Sequence, residues 1–222
     1  MTVDYATYCC EKDVTKLHAA YYNHRASHNY EFDESHLIYQ RTDDKGVDMP
    51  GKKYKISDSD YDNILSKNGI DPNNKEADDY THGWGAPHYW KHHCVNHLTA
   101  LELSEADYIV LADADCHMLE PTDWVTKGIQ LLKDNPEYLV ISPNDGTRSR
   151  KTQTMSQQLF LCERERLLGI DFDLPFGGFR DGGPMQEYYF MLEGRIGRYM
   201  EKNNLFRFIL PEQYRYWHKQ WH

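Results

Sequence analysis

The chain has 222 residues, of which 40% are hydrophobic and 14% aromatic, and its formal net charge is −10. This amount of apolar side chain predicts a folded core and excludes an intrinsically disordered chain. The negative charge disfavours general binding to nucleic acid, because a protein that grips phosphates needs a basic face. The five cysteines form no C-x-x-C pair, so neither a structural zinc site nor a disulfide framework is expected.

The amino terminus lacks both the basic region and the apolar region of a secretory signal peptide. No apolar run approaches the ~20 residues that a transmembrane helix needs. We therefore expect a cytoplasmic protein without a transmembrane segment.

The first elements predict a parallel α/β sheet. The alternating segment Thr2 to Cys9 predicts a strand, Asp13 can begin a helix that runs to about Asn23, and Ser35 to Gln40 predicts a second strand. A strand, a helix and a strand in succession are typical of a βαβ unit.

Residues 44–82 are polar and contain many aspartates, with one short helix expected from Ser57 to Ser66. A long segment with little regular structure is usually functional or mobile. We interpret it as an insertion or lid beside a site, and a solvated loop is an equal alternative.

An amphipathic helix is expected over 87–104, because apolar residues recur there at helical spacing. His92 and His93 point to different sides of that helix, and no His-Glu-x-x-His is present, so a zinc site is not expected there. We expect His97 to be a hydrogen-bonded helix residue. The residues that form the apolar face are Trp90, Cys94, His97, Leu98 and Leu101.

The most informative segment is the apolar strand from Tyr108 to Ala112, because it ends in Asp113-Ala114-Asp115. An unpaired buried charge is costly, so two carboxylates at the end of a buried strand indicate that the strand emerges into a cleft. In open α/β sheets, ligands bind outside the carboxyl ends of the strands. Carboxylate oxygens suit a hard divalent cation. The alternative is that these acids cap the next helix or face water.

The remaining chain predicts three strands, two helices, a glycine-rich loop and an aromatic, basic tail over 211–222. The expected elements are a helix from Thr122 or Asp123 to about Leu132, strands at Tyr138 to Ser142, Leu159 to Cys162 and Leu205 to Leu210, a loop at 169–183, and a helix from Pro184 to about Asn203.

The segment Asp-Tyr-Ile-Val-Leu-Ala-Asp-Ala-Asp, followed by Met-Leu-Glu-Pro, resembles the part of GT-A fold glycosyltransferases that carries their Asp-X-Asp motif, especially the family 2-like group. Residues 160–171 resemble the strand and helix before the acceptor loop of that group. The resemblance covers most of the chain outside 44–82. It implies one GT-A (Rossmann-like) domain over 1–222, with a central, mostly parallel sheet flanked by helices.

The resemblance also implies a function. The chain would be a hexosyl- or pentosyltransferase that moves a sugar from a nucleoside-diphosphate donor, with UDP expected by family habit, to a hydroxyl on a glycan or other acceptor. Mn²⁺ or Mg²⁺ would assist as the departing diphosphate gains negative charge. Asp115 would bind the metal directly, and Asp113 would contact the ribose or the metal. A third ligand often comes from near the carboxyl terminus in such enzymes, and His218 is preferred here over His222.

Residues at the ends of the first two strands would bind the donor: Thr7, Cys9, Glu11 and Asp43. Tyr8 is a candidate for stacking on the base, or alternation buries it. Lys91, or alternatively Arg148 and Arg150, would reach the diphosphate.

An inverting transferase needs a general base for the acceptor hydroxyl. The family group has an acidic pair at the start of its acceptor-side helix, and here the matching pair is Glu187-Tyr188. Glu187, or Asp181 in the glycine-rich loop, is the candidate base; a retaining enzyme would need none.

Two other functions stay open. A sugar-1-phosphate nucleotidyltransferase uses a related sheet, although the segment Cys9 to Asp13 has no glycine-rich phosphate loop. A non-catalytic carbohydrate-binding protein would suit the aromatic tail.

Overall fold

A computed structural model describes residues 1–9, 25–40, 51–81, 89–114, 116–146, 148, 150–174 and 190–218. Ten strands and six α-helices lie in these ranges. The strands are β1 (Val3–Cys9), β2 (Ser35–Gln40), β3 (Lys52–Ile56), β4 (Tyr108–Asp113), β5 (Cys116–Met118), β6 (Tyr138–Ser142), β7 (Arg150–Thr152), β8 (Leu159–Glu163), β9 (Phe206–Ile209) and β10 (Tyr216–His218). The helices are α1 (Tyr61–Lys67), α2 (Lys75–Thr81), α3 (Tyr89–Leu103), α4 (Trp124–Asp134), α5 (Arg164–Leu168) and α6 (Leu192–Asn203). Short 3₁₀ helices cover Asp58–Asp60 and Glu212–Tyr214.

Eight strands form one mixed sheet in the order β3-β2-β1-β4-β8-β6-β9-β7. β3, β2, β1 and β4 are parallel, β6 and β9 share their direction, and β8 and β7 run the opposite way. The predicted α/β class and mostly parallel sheet are therefore confirmed. β5 and β10 pair antiparallel in a separate two-stranded ribbon, which we call the β5–β10 ribbon.

The core has two layers, one on each face of the sheet. One face packs against helices α1, α2, α3 and α6, with Trp90, Leu98 and Ile196 fully buried. The other face packs against α4 and the β5–β10 ribbon, with Trp124 at its centre. β4 lies in the middle and is buried on both sides from Tyr108 to Ala112, which is why its sequence is a continuous apolar run.

Most of the predicted elements that fall in the described ranges are confirmed within one or two residues. These are β1, β2, α3, β4, α4, β6, β8 and β9, and the apolar face predicted for α3 is buried. The helix expected from Asp13 to Asn23 lies outside the described residues.

Two expectations about secondary structure are wrong. Residues 51–81 are not short of regular structure: β3 joins the edge of the main sheet, and Leu65 and Ala77 of α1 and α2 are fully buried in the core. The helix expected from Pro184 to about Asn203 is not continuous: α6 begins at Leu192, because Met191 has an extended backbone (φ −71, ψ 163) that cannot continue a helix, and 184–189 lie outside the described residues. The role of 44–82 as a lid stays a prediction.

No helix in the described ranges is both long enough and apolar enough to cross a membrane.

Candidate functional site

The candidate site lies where β1 and β4 end side by side. Tyr8 and Asp113 are paired residues in the parallel register of these strands. Asp113 is half-buried, and its backbone N–H donates to the carbonyl oxygen of Gln158 at 2.7 Å. Because β8 is antiparallel to β4, its beginning meets the end of β4. This topology brings Gln157 and Gln158 to the carboxyl edge of the sheet.

The main chain of the carboxyl-terminal segment also reaches this edge. The antiparallel register of the β5–β10 ribbon pairs His218 with Cys116, the residue that follows Asp115. Tyr216 on the same strand is buried, and its hydroxyl donates to Gln158 Oε1 at 2.9 Å. Burial raises the pKa of Tyr216, so this hydroxyl stays protonated and keeps donating. The ribbon is thus attached to the loop that holds the end of β4.

A connected set of polar side chains lies beside Asp113, and we call it the Gln157 network: Tyr8, His93, His97, Gln157 and Glu193. Gln157 is central to it. Its Nε2 donates to His93 Nδ1 at 2.7 Å, its carbonyl oxygen lies 3.1 Å from His97 Nε2, and its backbone N–H donates to Glu193 Oε2 at 3.2 Å. The Tyr8 ring packs against the His97 ring at a centroid distance of 4.5 Å.

Burial sets the ionisation of this network. It lowers the pKa of both His93 and His97 to about 4, so both imidazoles are neutral at pH 7. Burial raises the pKa of Glu193 to about 7, although the Gln157 N–H and the Arg207 guanidinium favour its ionised form. Glu193 is therefore a half-buried carboxyl group that exchanges protons near neutral pH. A group with such a pKa can act as a general base.

Glu193 is the residue that the sequence interpretation missed. It stands in the first turn of α6, where the positive end of the helix dipole favours a carboxylate. A helix that began at Pro184 would have Glu187 in its first turn instead. The sequence Met191-Leu192-Glu193 offers only one weak signal, an acid in the first turn after two apolar residues.

The predicted donor-binding residues that the structure describes are mostly enclosed. Thr7 and Cys9 are 0% and 2% exposed. Lys91 is also buried, and its Nζ bonds to Asp62 Oδ1 of α1 at 2.7 Å, which is a strong restraint on its reach. Glu11 and Asp43 lie outside the described residues.

Asp115, Asp181 and Glu187 are outside the described residues as well, and for His218 the structure describes only the main chain. Of the alternatives, His97 is a hydrogen-bonded residue of α3, as predicted. His92 and His93 point to different partners, Tyr61 and Gln157, as predicted.

A second group of potential metal ligands lies at the opposite, amino-terminal edge of the sheet. The ligand atoms of Asp4, Glu34 and His36 lie within 4.8 Å of one another. The Asp4 carboxylate accepts from His36 Nε2 at 2.9 Å and from Ser104 Oγ at 2.7 Å. Its pKa is low although burial opposes this, because these donors favour the charged form. These bonds tie β1, β2 and the end of α3 together, which is a structural role.

Comparison with known proteins supports the fold alone. No protein-family profile matches the chain, and no curated protein sequence is similar to it. Solved structures share its fold at low sequence identity. CMP:2-keto-3-deoxy-manno-octonic acid synthetase, complexed with CTP, is 10% identical with a TM-score of 0.53, over 95% of this chain and 90% of that chain.

Two glycosyltransferase structures have a similar fold. Glucosyl-3-phosphoglycerate synthase from Mycobacterium tuberculosis, in complex with Mn²⁺, UDP and glucosyl-3-phosphoglycerate, is 14% identical with a TM-score of 0.50, over 100% of this chain and 73% of that chain. S. aureus TarS 1–349 in complex with UDP-GlcNAc is 12% identical with a TM-score of 0.50, over 100% of this chain and 59% of that chain. The chain thus spans less than two thirds of the TarS structure. The chain therefore shares its mostly parallel α/β fold with the synthetase and with these two glycosyltransferases.

Proposed function

We propose that residues 1–222 form one glycosyltransferase domain that transfers a sugar from a UDP-sugar donor to a hydroxyl acceptor with the help of Mn²⁺ or Mg²⁺. The observation that carries the proposal is the pairing of His218 with Cys116, directly after Asp113-Ala114-Asp115. This pairing lies at the carboxyl edge of a sheet whose fold is shared with nucleotide-diphospho-sugar transferases. Ligands of open α/β sheets bind at that edge.

Asp113, Asp115 and His218 are the proposed metal ligands. The donor set fits the cation, because carboxylate oxygens suit both Mg²⁺ and Mn²⁺, and an imidazole is compatible with the softer Mn²⁺. A bound cation would offset the negative charge of the departing diphosphate. The protein's own contribution would be to bring the segment that follows Asp113 beside the strand that ends in His218.

Glu193 is the proposed general base, with Glu187 and Asp181 as the alternatives from the sequence. Support for Glu193 comes from its pKa of about 7 and from its link through Gln157 to the loop that holds Asp113. Near neutral pH it would accept the proton of the acceptor hydroxyl as the new glycosidic bond forms.

Thr7, Cys9, Glu11, Asp43 and Lys91 are proposed to surround the donor. The side chains of Thr7 and Cys9 are buried, and Thr7 is paired with β2 and β4 on both sides. Contact with the base and ribose would therefore come from the main chain at the end of β1, at Cys9. To bind the diphosphate, Lys91 would have to break its ion pair with Asp62.

Thermal unfolding with UDP and Mn²⁺, together and separately, tests the proposal. A ligand at about 100 times its Kd stabilises the native state by about 2.7 kcal/mol, which is a shift of roughly 5–10 °C for a chain of this size. We expect a shift only when both are present, and none in Asp115→Ala. Asp134→Ala, an exposed acid at the end of α4, is the matched control. A full shift in Asp115→Ala would remove the metal assignment.

A sugar nucleotidyltransferase is the second candidate. The synthetase complexed with CTP has a higher TM-score than the two glycosyltransferases, and the match covers a larger share of its chain. Pyrophosphate release from CTP or UTP in the presence of a sugar acid or sugar phosphate would identify it. UDP release from a UDP-sugar identifies the transferase. A non-catalytic carbohydrate-binding protein would show neither reaction and no metal-dependent binding of UDP.

A further inference from the structure

The outer face of the β5–β10 ribbon carries an exposed aromatic side chain. Trp217 and Leu119 are each 50% exposed, and among the described residues only Met1 is another large hydrophobic side chain with such exposure. Trp217 is paired with His117 in the ribbon register. The two rings meet edge to face, with centroids 5.5 Å apart and planes at 68°.

The exposure of Trp217 does not result from a loosely packed ribbon. Cys116, Met118 and Tyr216 alternate with the outer residues and are buried in the core. The ribbon is also fixed at its ends, since the backbone N–H of Leu119 donates to the carbonyl oxygen of Arg215 at 3.0 Å. The ribbon thus keeps half of a large indole exposed, and a ligand that covered it would gain the hydrophobic free energy of that area.

The ribbon places this indole close to the proposed donor site. Trp217 is opposite His117, and Cys116, the neighbour of His117, directly follows Asp115. With a spacing of about 4.8 Å between strands and a rise of about 3.4 Å per residue, the Trp217 backbone lies within roughly 6 Å of Cys116. The indole is therefore carried by the same strand as His218, one residue before this proposed metal ligand.

We propose that Trp217, oriented by His117, is the acceptor platform of this enzyme and that it stacks on a sugar ring of a neutral glycan; this rests on the proposed transferase function. The C–H face of a pyranose is apolar and carries a slight positive charge, which matches the negative face of an indole. The His117 imidazole contacts the Trp217 ring, so a sugar stacked on that ring would bring its hydroxyl groups close to the ring nitrogens of His117.

Charge and composition favour a neutral glycan over other acceptors. The chain carries a formal net charge of −10, which repels an anionic polymer. A membrane surface would require a broader apolar face, whereas the outer face of the ribbon offers only Trp217 and Leu119 beside His117 among the described residues. One aromatic ring with a polar neighbour offers an area that a single sugar ring can cover.

The test uses the full chain with UDP and Mn²⁺ bound and a panel of probes: maltoheptaose, chitotetraose and lactose. Binding is measured by calorimetry for the wild-type protein and for Trp217→Ala, Trp217→Phe and Leu119→Ala. At least one probe is expected to bind the wild-type protein, to bind Trp217→Ala at least 10-fold more weakly, and to recover most of its affinity in Trp217→Phe. Leu119→Ala, which has equal exposure, is expected to bind normally.

The outcomes separate this inference from the transferase proposal. UDP binding is recorded in every sample, and its absence from the wild-type protein would refute the transferase proposal itself. Normal UDP binding with no glycan bound, or equal glycan binding in Trp217→Ala, would refute the acceptor platform alone. Sedimentation with phosphatidylcholine vesicles that depends on Trp217 would also refute it, because the surface would then bind lipid.

Discussion

As the proposed general base, the Glu193 carboxylate would raise the reaction rate, whereas its burial lowers the stability of the folded protein. Its carboxyl group has a pKa of about 7 in the folded protein, compared with the ordinary value of 4.5. We expect the wild-type rate to rise with pH and to level off above pH 7 as Glu193 loses its proton. General-base catalysis contributes roughly 10²–10⁴-fold, so Glu193→Gln should lose about that factor and the pH dependence with it.

The same pKa predicts that the variant is more stable at high pH. Below about pH 4 the carboxyl group is protonated in both the folded and the unfolded chain, so it does not change the free energy of unfolding. As pH rises, the unfolded chain loses this proton near pH 4.5 and the folded chain only near pH 7. The free energy of unfolding of the wild-type protein therefore falls as the pH rises from 4.5 to about 7. At about 1.36 kcal/mol per pKa unit, the penalty above pH 7 is about 3 kcal/mol as an upper bound.

Urea unfolding at pH 4 and pH 8 measures this penalty directly. Glu193→Gln keeps an oxygen acceptor for the Gln157 N–H, so its gain over wild type should be near zero at pH 4 and up to about 3 kcal/mol at pH 8. Glu201→Gln, an exposed position on the same helix, is the matched control and should change neither value. A gain that is equal at both pH values, or full transferase activity in Glu193→Gln, would refute the reasoning.

Two further predictions concern the scaffold, and chemical denaturation measures both. Leu111→Ala, in the fully buried middle of β4, should lower the free energy of unfolding by about 2–5 kcal/mol. Leu119→Ala, at a half-exposed position, should lower it by less than about 0.5 kcal/mol. Equal losses in the two variants would contradict the assignment of β4 to the core. Gly51→Ala should destabilise more than Gly69→Ala. Both glycines have positive φ, +118 and +74, but a Cβ on Gly51 would lie 2.4 Å from the carbonyl oxygen of Ser35, whereas a Cβ on Gly69 meets nothing within 4 Å. A larger loss of stability in Gly69→Ala would show that the backbone near Ser35 can move to make room for the new methyl group.

The sheet was predictable where burial imposes a local pattern. A strand covered on both faces must be apolar throughout, and the run from Tyr108 to Ala112 shows this directly. The two acids that end the motif after this run predicted, for the same reason, that the strand leaves the core there, and Asp113 is half-buried. By contrast, β3 has the sequence Lys-Lys-Tyr-Lys-Ile, and as an edge strand it is largely exposed, so no apolar pattern marked it.

The α/β class, the parallel opening, the central strand and the acidic motif at its end are predictable from the sequence, because each depends on residues that are neighbours in the chain. Which distant residues lie beside that motif depends on the tertiary fold. Gln157 reaches Glu193 across 36 positions, and the β5–β10 ribbon pairs residues about 100 positions apart, bringing His218 beside Cys116 and Trp217 beside His117. Strand register and burial create these contacts and set the pKa of Glu193, and neither is encoded in any single stretch of the chain.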